Sequence, residues 1–318
     1  MRLNSLCKPA SALTIGGATI DVILPVVDSN IALAGKHDVP FINFAAGGGA
    51  VNAATVLNKL GRNVSAYCAI GDDPEGELLC ARLTQVGISL DKVEIIENAK
   101  TGRAVISVQK DGDVAIFADR GANLSLDGKA LTKQVHTDLL YISSVPDLAL
   151  ESIFDFICHI APEDMSVAWN PGSGQIRSGG SVFTKLLECT DILLMNAEEA
   201  ATVLNLQRGQ MVTSSAKESC LELMRGSKAH VCITDGANGV WIGKNGEIFH
   251  QSAFSGRVAS AVGAGDTFGA TFAHFITNGV EPRQAARWAV HNAHASLAGY
   301  DAVSQSLSEK TLANRVAS

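Results

Sequence analysis

The sequence predicts an α/β protein in which a doubly wound, mainly parallel sheet is flanked by helices and accompanied by a small β-sheet lid. Three observations lead to this fold. Short apolar runs alternate with longer amphipathic runs along most of the chain, which is typical of a parallel sheet covered by helices. Glycines follow several amphipathic runs, as they commonly follow helices. Two stretches interrupt the alternation, and the second contains a hairpin signal at Asp111-Gly112.

The elements of the main sheet follow from this alternation. An apolar strand region at 13–24 is interrupted by Gly16-Gly17, and a helix at 52–60 is predicted because Ala53, Val56 and Leu57 fall on one stripe. A strand at 64–70 and a helix at 76–86 come next. The second half predicts strands at 139–143, 166–169, 192–195 and 231–234 with helices between them, a hairpin around Asn245-Gly246, and long helices at 266–277 and 283–297.

The two interruptions divide the chain into two units. We assign residues 1–24, 49–92 and 119–318 to a large α/β domain that binds nucleotide and substrate. Residues 25–48 and 93–118 are then two insertions that together build the small β lid.

Composition limits the classes of function. With 47% hydrophobic and 18% charged residues the chain can bury a sizeable core, and a net charge of −7 argues against a nucleic-acid binder. Seven scattered cysteines without C-x-x-C spacing predict neither a disulfide framework nor a zinc site, and they fit a reducing, cytoplasmic compartment. We see no signal peptide, and no apolar run approaches the roughly 18 residues of a membrane span.

The most informative stretch runs from Val262 to Ala270, where small residues precede a helix and Asp266 lies in its first turn. Unpaired N–H groups at a helix N-terminus receive anions, and Gly263 and Gly265 allow a phosphate to approach the backbone. A carboxylate beside them could remove a proton from a hydroxyl during phosphoryl transfer. Taken alone, such a motif more often means only a capping Asp behind a tight turn.

A second glycine-rich turn, Gly47-Gly48-Gly49, also precedes a helix, and Asn52 lies in its first turn. Three adjacent glycines cost chain entropy unless something must approach the backbone closely. The turn matches neither G-x-G-x-x-G nor a Walker A loop.

Together these motifs resemble those of the ribokinase-like (PfkB-type) carbohydrate kinase family. Residues 47–54 match its N-terminal signature, and Ser260 to Asp266 resemble its C-terminal signature Asp-Thr-x-Gly-Ala-Gly-Asp. Further family motifs are resembled, in order, by Gly17-Ala18-Thr19-Ile20-Asp21, Asn170-Pro171-Gly172, Asn196-Ala197-Glu198-Glu199 and Thr234-Asp235-Gly236-Ala237-Asn238-Gly239. The resemblance spans roughly residues 13–304 and implies the family's fold and an ATP-dependent kinase.

The resemblance also implies roles on the acceptor side of the site. Asp266 would be the general base, and the backbone N–H groups of Gly263, Ala264 and Gly265 would form an anion hole for the transferred phosphoryl group. The sugar would be bound by Asp21, Gly48, Gly49 and Asn52, with Asp266 at its reacting hydroxyl.

On the nucleotide side, the resemblance implies that Asn196 and Glu199 organise a hydrated Mg²⁺ at the phosphates of ATP, with Glu199 acting through water. A capping Asn with a surface Glu is the alternative interpretation of this pair. Thr234, Gly236 and Gly239 would follow the phosphates and ribose, and Asn292 would contact the adenine side.

One departure from the family concerns a monovalent cation. Ser260 and Ala261 stand where many members have Asp and Thr, and that Asp often helps to hold the cation. Because a carboxylate is the better ligand for a hard cation, activation by potassium is not expected.

The interpretation we adopt is an ATP-dependent sugar kinase that phosphorylates a hydroxyl, expected to be a primary one, of an unphosphorylated sugar or related compound. No cluster of Lys and Arg suggests a phosphorylated acceptor, and we expect a homodimer that forms through the lid. The alternatives are a nucleoside kinase of the same family and a non-catalytic sugar- or nucleotide-sensing relative. A dinucleotide-dependent oxidoreductase is a third, which the missing G-x-G-x-x-G disfavours.

Overall fold

The structure is a computed structural model that describes residues 10–26, 36–132, 135–208 and 214–317. Its strands are β1 (Ser11–Ile15), β2 (Thr19–Pro25), β3 (Asn43–Gly47), β4 (Asn63–Gly71), β5 (Val93–Ile96), β6 (Gly102–Val108), β7 (Val114–Asp119), β8 (Leu139–Ile142), β9 (Ser166–Trp169), β10 (Ile192–Asn196), β11 (His230–Thr234), β12 (Val240–Lys244) and β13 (Glu247–Gln251). Its helices are α1 (Gly49–Lys59), α2 (Pro74–Gln85), α3 (Asp147–His159), α4 (Ser173–Ser178), α5 (Gly180–Cys189), α6 (Ala197–Arg208), α7 (Ala216–Met224), α8 (Ala264–Thr277), α9 (Pro282–Ser296) and α10 (Glu309–Ala317).

The strands form two separate sheets. The large sheet has the order β13-β12-β11-β10-β9-β8-β1-β4-β5, and only its β11-β12 and β12-β13 pairs are antiparallel. The small sheet has the order β3-β2-β6-β7. The predicted fold class, a mainly parallel sheet between helices with a small second sheet, is therefore confirmed.

The large sheet separates two apolar layers. One layer packs Leu57 of α1, Leu79 of α2 and Phe272 of α8 against the sheet, and the other packs Ile153 of α3 and Leu186 of α5. All five side chains are fully buried, and each contributes about 1.5–3 kcal/mol through the hydrophobic effect. Helices on both faces are the reason that the strands are apolar on both sides.

Helix α8 packs against the sheet through a glycine, Gly269. A Cβ at Gly269 would stand 2.5 Å from the hydroxyl of Tyr141 on β8, so any larger residue would push the helix outward.

Sheet membership differs from the predicted domain boundaries at two places. Residues 19–24, which we had grouped with the large domain, lie in β2 of the small sheet because β2 pairs with β3 and β6. Residues 93–96, which we had grouped with the lid, form β5 and pair in parallel with β4. Residues 27–35 of the predicted lid segment lie outside the described residues.

Within the residues that the structure describes, no helix combines the length and the apolar character needed to cross a membrane.

Candidate active site

The site forms at the edge where the parallel strands of the large sheet end. Helices that connect parallel strands run back across the sheet, so the strand ends and the helix N-termini meet at this edge, where such folds bind ligands. Strands β1, β8, β10 and β11 end here, and α1 and α8 begin here.

The start of α1 is held against the turn that leads from β1 to β2. Gly48 has φ 90°, and a Cβ there would lie 2.4 Å from the carbonyl oxygen of Gly17. The N–H of Ala50 donates to the same carbonyl at 3.1 Å. Only glycine permits this approach, which places the first turn of α1, with Asn52, beside the strand ends.

The start of α8 brings its carboxylate to the same place. Gly263 precedes the helix with φ 70°, and a Cβ there would clash with Ala302 at 2.4 Å. Asn52 Nδ2 donates a 2.8 Å hydrogen bond to Asp266 Oδ2. The two glycine-rich turns, more than 200 residues apart in sequence, therefore meet side by side.

Asp266 has the pKa of a base that works near neutrality. Burial raises the pKa of its carboxyl from 3.8 to about 6, the hydrogen bond from Asn52 lowers it, and the nearby charge of Asp21 raises it further. Such a carboxylate is ionised at neutral pH and yet accepts a proton more readily than an ordinary Asp.

Asp21 extends from β2 of the small sheet and is 5% exposed. Thr19 Oγ1 donates to its Oδ1 at 2.6 Å, and burial raises the pKa of the carboxyl. A Cβ at Gly47 would lie 1.9 Å from Asp21 Oδ2, so this glycine makes room for the carboxylate. Asp21 lies near enough to Asp266 for its charge to raise the pKa of Asp266.

Asn52 has a free acceptor in this site. Its side chain is buried, and its Oδ1 makes no hydrogen bond with any of the described residues, whereas its Nδ2 is bound to Asp266. An unsatisfied buried amide oxygen costs about 1–3 kcal/mol, which a ligand hydroxyl could recover by donating to it. A Cβ at Gly49 would come within 3.9 Å of Asp266 Oδ1, so Gly49 also borders the site.

The predicted pair Asn196 and Glu199 forms a reciprocal cap at the start of α6. The Asn196 N–H donates to Glu199 Oε2 at 3.0 Å, and the Glu199 N–H donates to Asn196 Oδ1 at 2.8 Å. Burial raises the pKa of Glu199, and the charge of Asp266 raises it further. The pair therefore caps the helix, as the alternative interpretation held, but Glu199 is partly buried and lies near enough to Asp266 for that charge to raise its pKa.

Thr234 is the last residue of β11, and Gly236 and Gly239 lie in the turn that follows it. Thr234 pairs with Asn196 across the sheet, so this turn adjoins the start of α6. Gly239 has φ 100°, and a Cβ there would lie 2.2 Å from the Gln251 carbonyl oxygen, whereas Gly236 is exposed. The turn is therefore an accessible backbone surface next to Glu199.

Asn292, which the resemblance places at the adenine side, lies in the packing around α8 and α9 in this structure. Its side chain is fully buried. Nδ2 donates to Thr271 Oγ1 at 2.8 Å, and Oδ1 accepts from the Leu307 N–H at 2.6 Å. Both ends of the amide are thus used to tie α9 to α8 and to the segment at 307.

The proposed anion hole is only partly open. The Ala264 N–H makes a long 3.4 Å hydrogen bond to the Ala261 carbonyl oxygen. Gly263 caps α8, and Ala264 and Gly265 begin its first turn, where the N–H groups have no acceptor one turn back. An anion here would replace a weak internal bond and meet the positive end of the helix.

Sequence reasoning missed two residues beside the site. Asn123 Oδ1 accepts from the Ala18 N–H at 2.8 Å and its Nδ2 donates to the Ala18 carbonyl at 2.8 Å, which fixes the peptide between the two sheets. Ser143, directly after β8, has a buried hydroxyl without a partner among the described residues and faces Gly16 and Gly49. A polar residue immediately after an apolar strand was the available signal for Ser143.

The arrangement supports proton removal next to an anion. One base of raised pKa stands at a helix N-terminus, and two polar side chains beside it can orient a hydroxyl compound. The described residues contain no group of three or more His, Cys, Asp or Glu that could hold a metal ion on their own.

Comparison with known proteins agrees with this arrangement. Residues 10–309 match the model of the pfkB family carbohydrate kinases. A ribokinase of Schizosaccharomyces pombe is 28% identical over 235 residues, which cover 72% of this chain and 72% of that protein.

Solved structures show the same fold. Adenosine kinase from Sinorhizobium meliloti superposes with a TM-score of 0.81 at 20% identity, covering 97% of this chain and 100% of that chain. Ribokinase of Arabidopsis thaliana in complex with ribose and ATP gives a TM-score of 0.77 at 21% identity, covering 96% of this chain and 98% of that chain.

Proposed function

The chain belongs to the pfkB family of carbohydrate kinases, which transfer a phosphoryl group to an alcohol, and we propose that it moves the γ-phosphoryl group of ATP to a primary hydroxyl of an unphosphorylated sugar. One observation supports this most strongly: Asp266, with a pKa raised to about 6, is held by Asn52 at the N-terminus of α8. Base and anion site are adjacent, as phosphoryl transfer requires.

In this proposal the acceptor lies between the two sheets. Asp21 and Asn52 Oδ1 accept hydrogen bonds from its hydroxyls, and Gly48 and Gly49 let the ring lie against the backbone. Asp266 takes the proton of the reacting hydroxyl as the oxygen attacks, and the N–H groups of Gly263, Ala264 and Gly265 stabilise the charge on the phosphoryl oxygens. The small sheet excludes water, which would otherwise compete as the acceptor.

The nucleotide would lie along the ends of β10 and β11, beside Thr234, Gly236 and Gly239. The carboxylate of Glu199 lies near enough to Asp266 for that charge to raise its pKa. A carboxylate in this position could hold a hydrated Mg²⁺ through water, and such an ion would neutralise phosphate charge. Ser260 is fully buried, and its Oγ accepts from the Val262 N–H at 3.2 Å, so the position offers no carboxylate to a monovalent cation.

The orientation of two of the three lid aromatics, Phe44 and Phe117, favours a sugar over a nucleoside, whereas the third, Phe41, packs edge-on against the ring of Tyr300. Phe44 directly precedes Ala45, and Phe117 directly precedes Ala118. Because Ala45 and Ala118 stand level with Asp21 in the small sheet, both rings lie on the face opposite Asp21. Neither can stack on a base bound at Asp21. The side chains level with Asp21 on its own face are Ala45, Ala104 and Ala118.

The test is an ATP-consumption screen over pentoses, hexoses, keto-deoxy acids and nucleosides, with and without K⁺. We expect turnover with a neutral sugar, none with Asp266→Asn, and no dependence on K⁺. Turnover confined to nucleosides would select the nucleoside-kinase alternative. Absence of turnover with every acceptor, together with retained binding of sugar or ATP, would select the non-catalytic sensor.

The outer face of the small sheet supports the proposed homodimer. Phe44, Val22, Val105 and Phe117 stand opposite one another across four strands, and Phe117 is 68% exposed. Covering this apolar row with a second copy would remove it from water. Light scattering should give a dimer for the wild type and a monomer for Phe117→Asp. The control Leu148→Asp on α3 should remain a dimer, and a monomeric wild type would rule out the proposed homodimer.

A cytoplasmic location is also part of the proposal. It is supported by the cysteines of the described residues, which are all free thiols.

A further inference from the structure

Two cysteines meet on the surface of the large domain, far from the residues described above. Cys158 lies in the last turn of α3 and Cys189 is the last residue of α5. Their Sγ atoms are 3.6 Å apart, in van der Waals contact. Cys158 is exposed and Cys189 is partly exposed, so reagents in solvent can reach the pair.

The fold explains why they meet. Helices α3 and α5 each connect neighbouring parallel strands on the same face of the sheet, so they run side by side in the same direction and end at the same edge. Phe156 of α3 and Phe183 of α5 are buried in the same apolar layer. The relative position of the two last turns is therefore set by packing rather than by a mobile loop.

From this juxtaposition we propose that Cys158 and Cys189 are a site of reversible thiol modification, at which a low-molecular-weight disulfide converts the pair into an intramolecular disulfide. Bond formation needs the sulfurs to close from 3.6 Å to about 2.05 Å, which rotations of two side chains at helix ends can supply. Among the described cysteines, the other four do not form such a close pair of exposed thiols.

The reaction proceeds by two exchanges. The thiolate of exposed Cys158 attacks one sulfur of oxidised glutathione, forms a mixed disulfide and expels one glutathione thiolate. The thiolate of Cys189 then attacks the Cys158 sulfur and expels the second glutathione. Two protein thiols are oxidised, one glutathione disulfide is reduced, and the two protons pass to the glutathione thiolates. Burial raises the pKa of the Cys189 thiol and so disfavours its thiolate, which leaves the first attack to the more exposed Cys158.

The expected consequence is a more stable protein with unchanged catalysis. The bond would close a loop of about 30 residues that contains β9 and constrain the unfolded chain. The pair lies at the edge of the sheet where β9 and β10 begin. There the N–H of Asp191, two residues after Cys189, donates to the carbonyl oxygen of Val167 in β9. Asp266 lies at the opposite edge, where the parallel strands end.

The experiment treats the full-length protein with oxidised glutathione and maps its tryptic peptides without reduction. The peptides that contain Cys158 and Cys189 should become cross-linked, with the loss of two hydrogen atoms and no glutathione retained. The melting temperature should rise by several degrees, ATP turnover should stay constant, and dithiothreitol should reverse both changes.

Single variants provide the matched controls. Cys158→Ser and Cys189→Ser should each lose the cross-link and the thermal shift, and Cys189→Ser should keep glutathione on Cys158. Cys80→Ser, which removes a partly exposed thiol without a partner at this site, should behave as the wild type. Wild-type protein that retains glutathione on Cys158 without a cross-link, or that does not react, would overturn the proposal; so would an equal thermal shift in Cys189→Ser.

Discussion

Helices α1 and α8 lie side by side and are joined by polar side chains at both ends, but the two ends differ in how completely these groups are satisfied. At the strand-end edge, Asn52 donates to Asp266 at 2.8 Å. Just beyond the opposite end of α1, Arg62 Nε donates to His274 Nδ1 near the end of α8 at 3.0 Å.

The Arg62 end is saturated. The Arg62 guanidinium also donates to the Ser11 carbonyl at 3.1 Å, to the His274 carbonyl at 3.4 Å, to Thr277 Oγ1 and to Asn278 Oδ1. Burial lowers the pKa of His274 to about 3, so the ring is neutral and its Nδ1 can accept from Arg62. This cluster links the two helices and leaves no group for a ligand.

The Asp266 end is incomplete. Asn52 Oδ1 has no partner among the described residues, and the carboxyl of Asp266 has a pKa displaced upward by burial. A folded protein without function would gain stability by completing these bonds, so the difference between the two ends separates a structural cluster from a site that awaits a ligand.

The largest effect is expected from Asp266→Asn, which keeps the shape of the site but removes the base. We expect kcat to fall about 10²–10⁴-fold, the usual contribution of general-base catalysis. Because a charged group that is costly to bury is lost, stability at neutral pH should rise, of the order of 1–3 kcal/mol. Steady-state kinetics and thermal melts check both results, with the exposed Asp155→Asn as control. Wild-type turnover in Asp266→Asn would contradict the mechanism.

At the Arg62 end of the two helices, a substitution should lower stability and leave catalysis unchanged. Arg62→Met should lower the free energy of unfolding by about 3–5 kcal/mol, because several buried acceptors lose their donor. The folded fraction should keep its kcat. Urea unfolding followed by activity measurements at low denaturant distinguishes the two effects. A variant with normal stability and impaired kcat would show that the two ends do not differ as described.

A smaller effect is expected from Asn123→Ala, which tests the positioning of Asp21 by the junction between the sheets. The Ala18 peptide would lose both of its bonds to Asn123, at a cost of about 1–3 kcal/mol. We expect the KM for the acceptor to rise more than kcat falls, with Asn123→Asp, which retains the acceptor oxygen, intermediate. Equal kinetics in all three proteins would exclude this positioning role.

The smallest effects are those of pH. Below about pH 6, kcat/KM should fall tenfold per unit as Asp266 is protonated, and above it the rate should be level. A profile that stays level down to about pH 5 would mean that another group is the base.

The two ends should also respond to pH with opposite signs in stability. The folded pKa of Asp266 is raised, so its contribution to stability is present at low pH and is lost as pH rises from 3.8 to about 6. The folded pKa of His274 is lowered, so its contribution is lost as pH falls from 6.5 toward 3. The stability advantage of Asp266→Asn over the wild type should therefore shrink as the pH approaches 4.

Much of the fold could be predicted from local patterns. The alternation of apolar and amphipathic runs identified the parallel sheet and its covering helices, because strand and helix periodicities are local properties. The boundary of the lid could not be found in this way. Residues 19–24 look like any apolar strand, and only their pairing with β6 assigns them to the small sheet.

The site was predicted in part for the same reason. The glycines before Asn52 and Asp266 indicated two helix starts that a ligand could approach closely. In the structure the two side chains are joined by a hydrogen bond. The internal bonds of Asn292 could not be predicted, because an Asn in a helix gives the same sequence pattern whether it faces a ligand or a neighbouring helix. Its bonds to Thr271 and Leu307 exist only once α8, α9 and the following segment are packed.

The sequence by itself determined the elements, the glycine-rich turns and the identity of the acid at the start of α8. These depend on backbone freedom and side-chain periodicity within a few residues. Tertiary structure alone decided that Asn52 reaches Asp266, that burial displaces the pKa of that carboxyl, and that Cys158 meets Cys189. Distances between residues far apart in the chain, and the dielectric surroundings of a charge, arise only when the layers pack together.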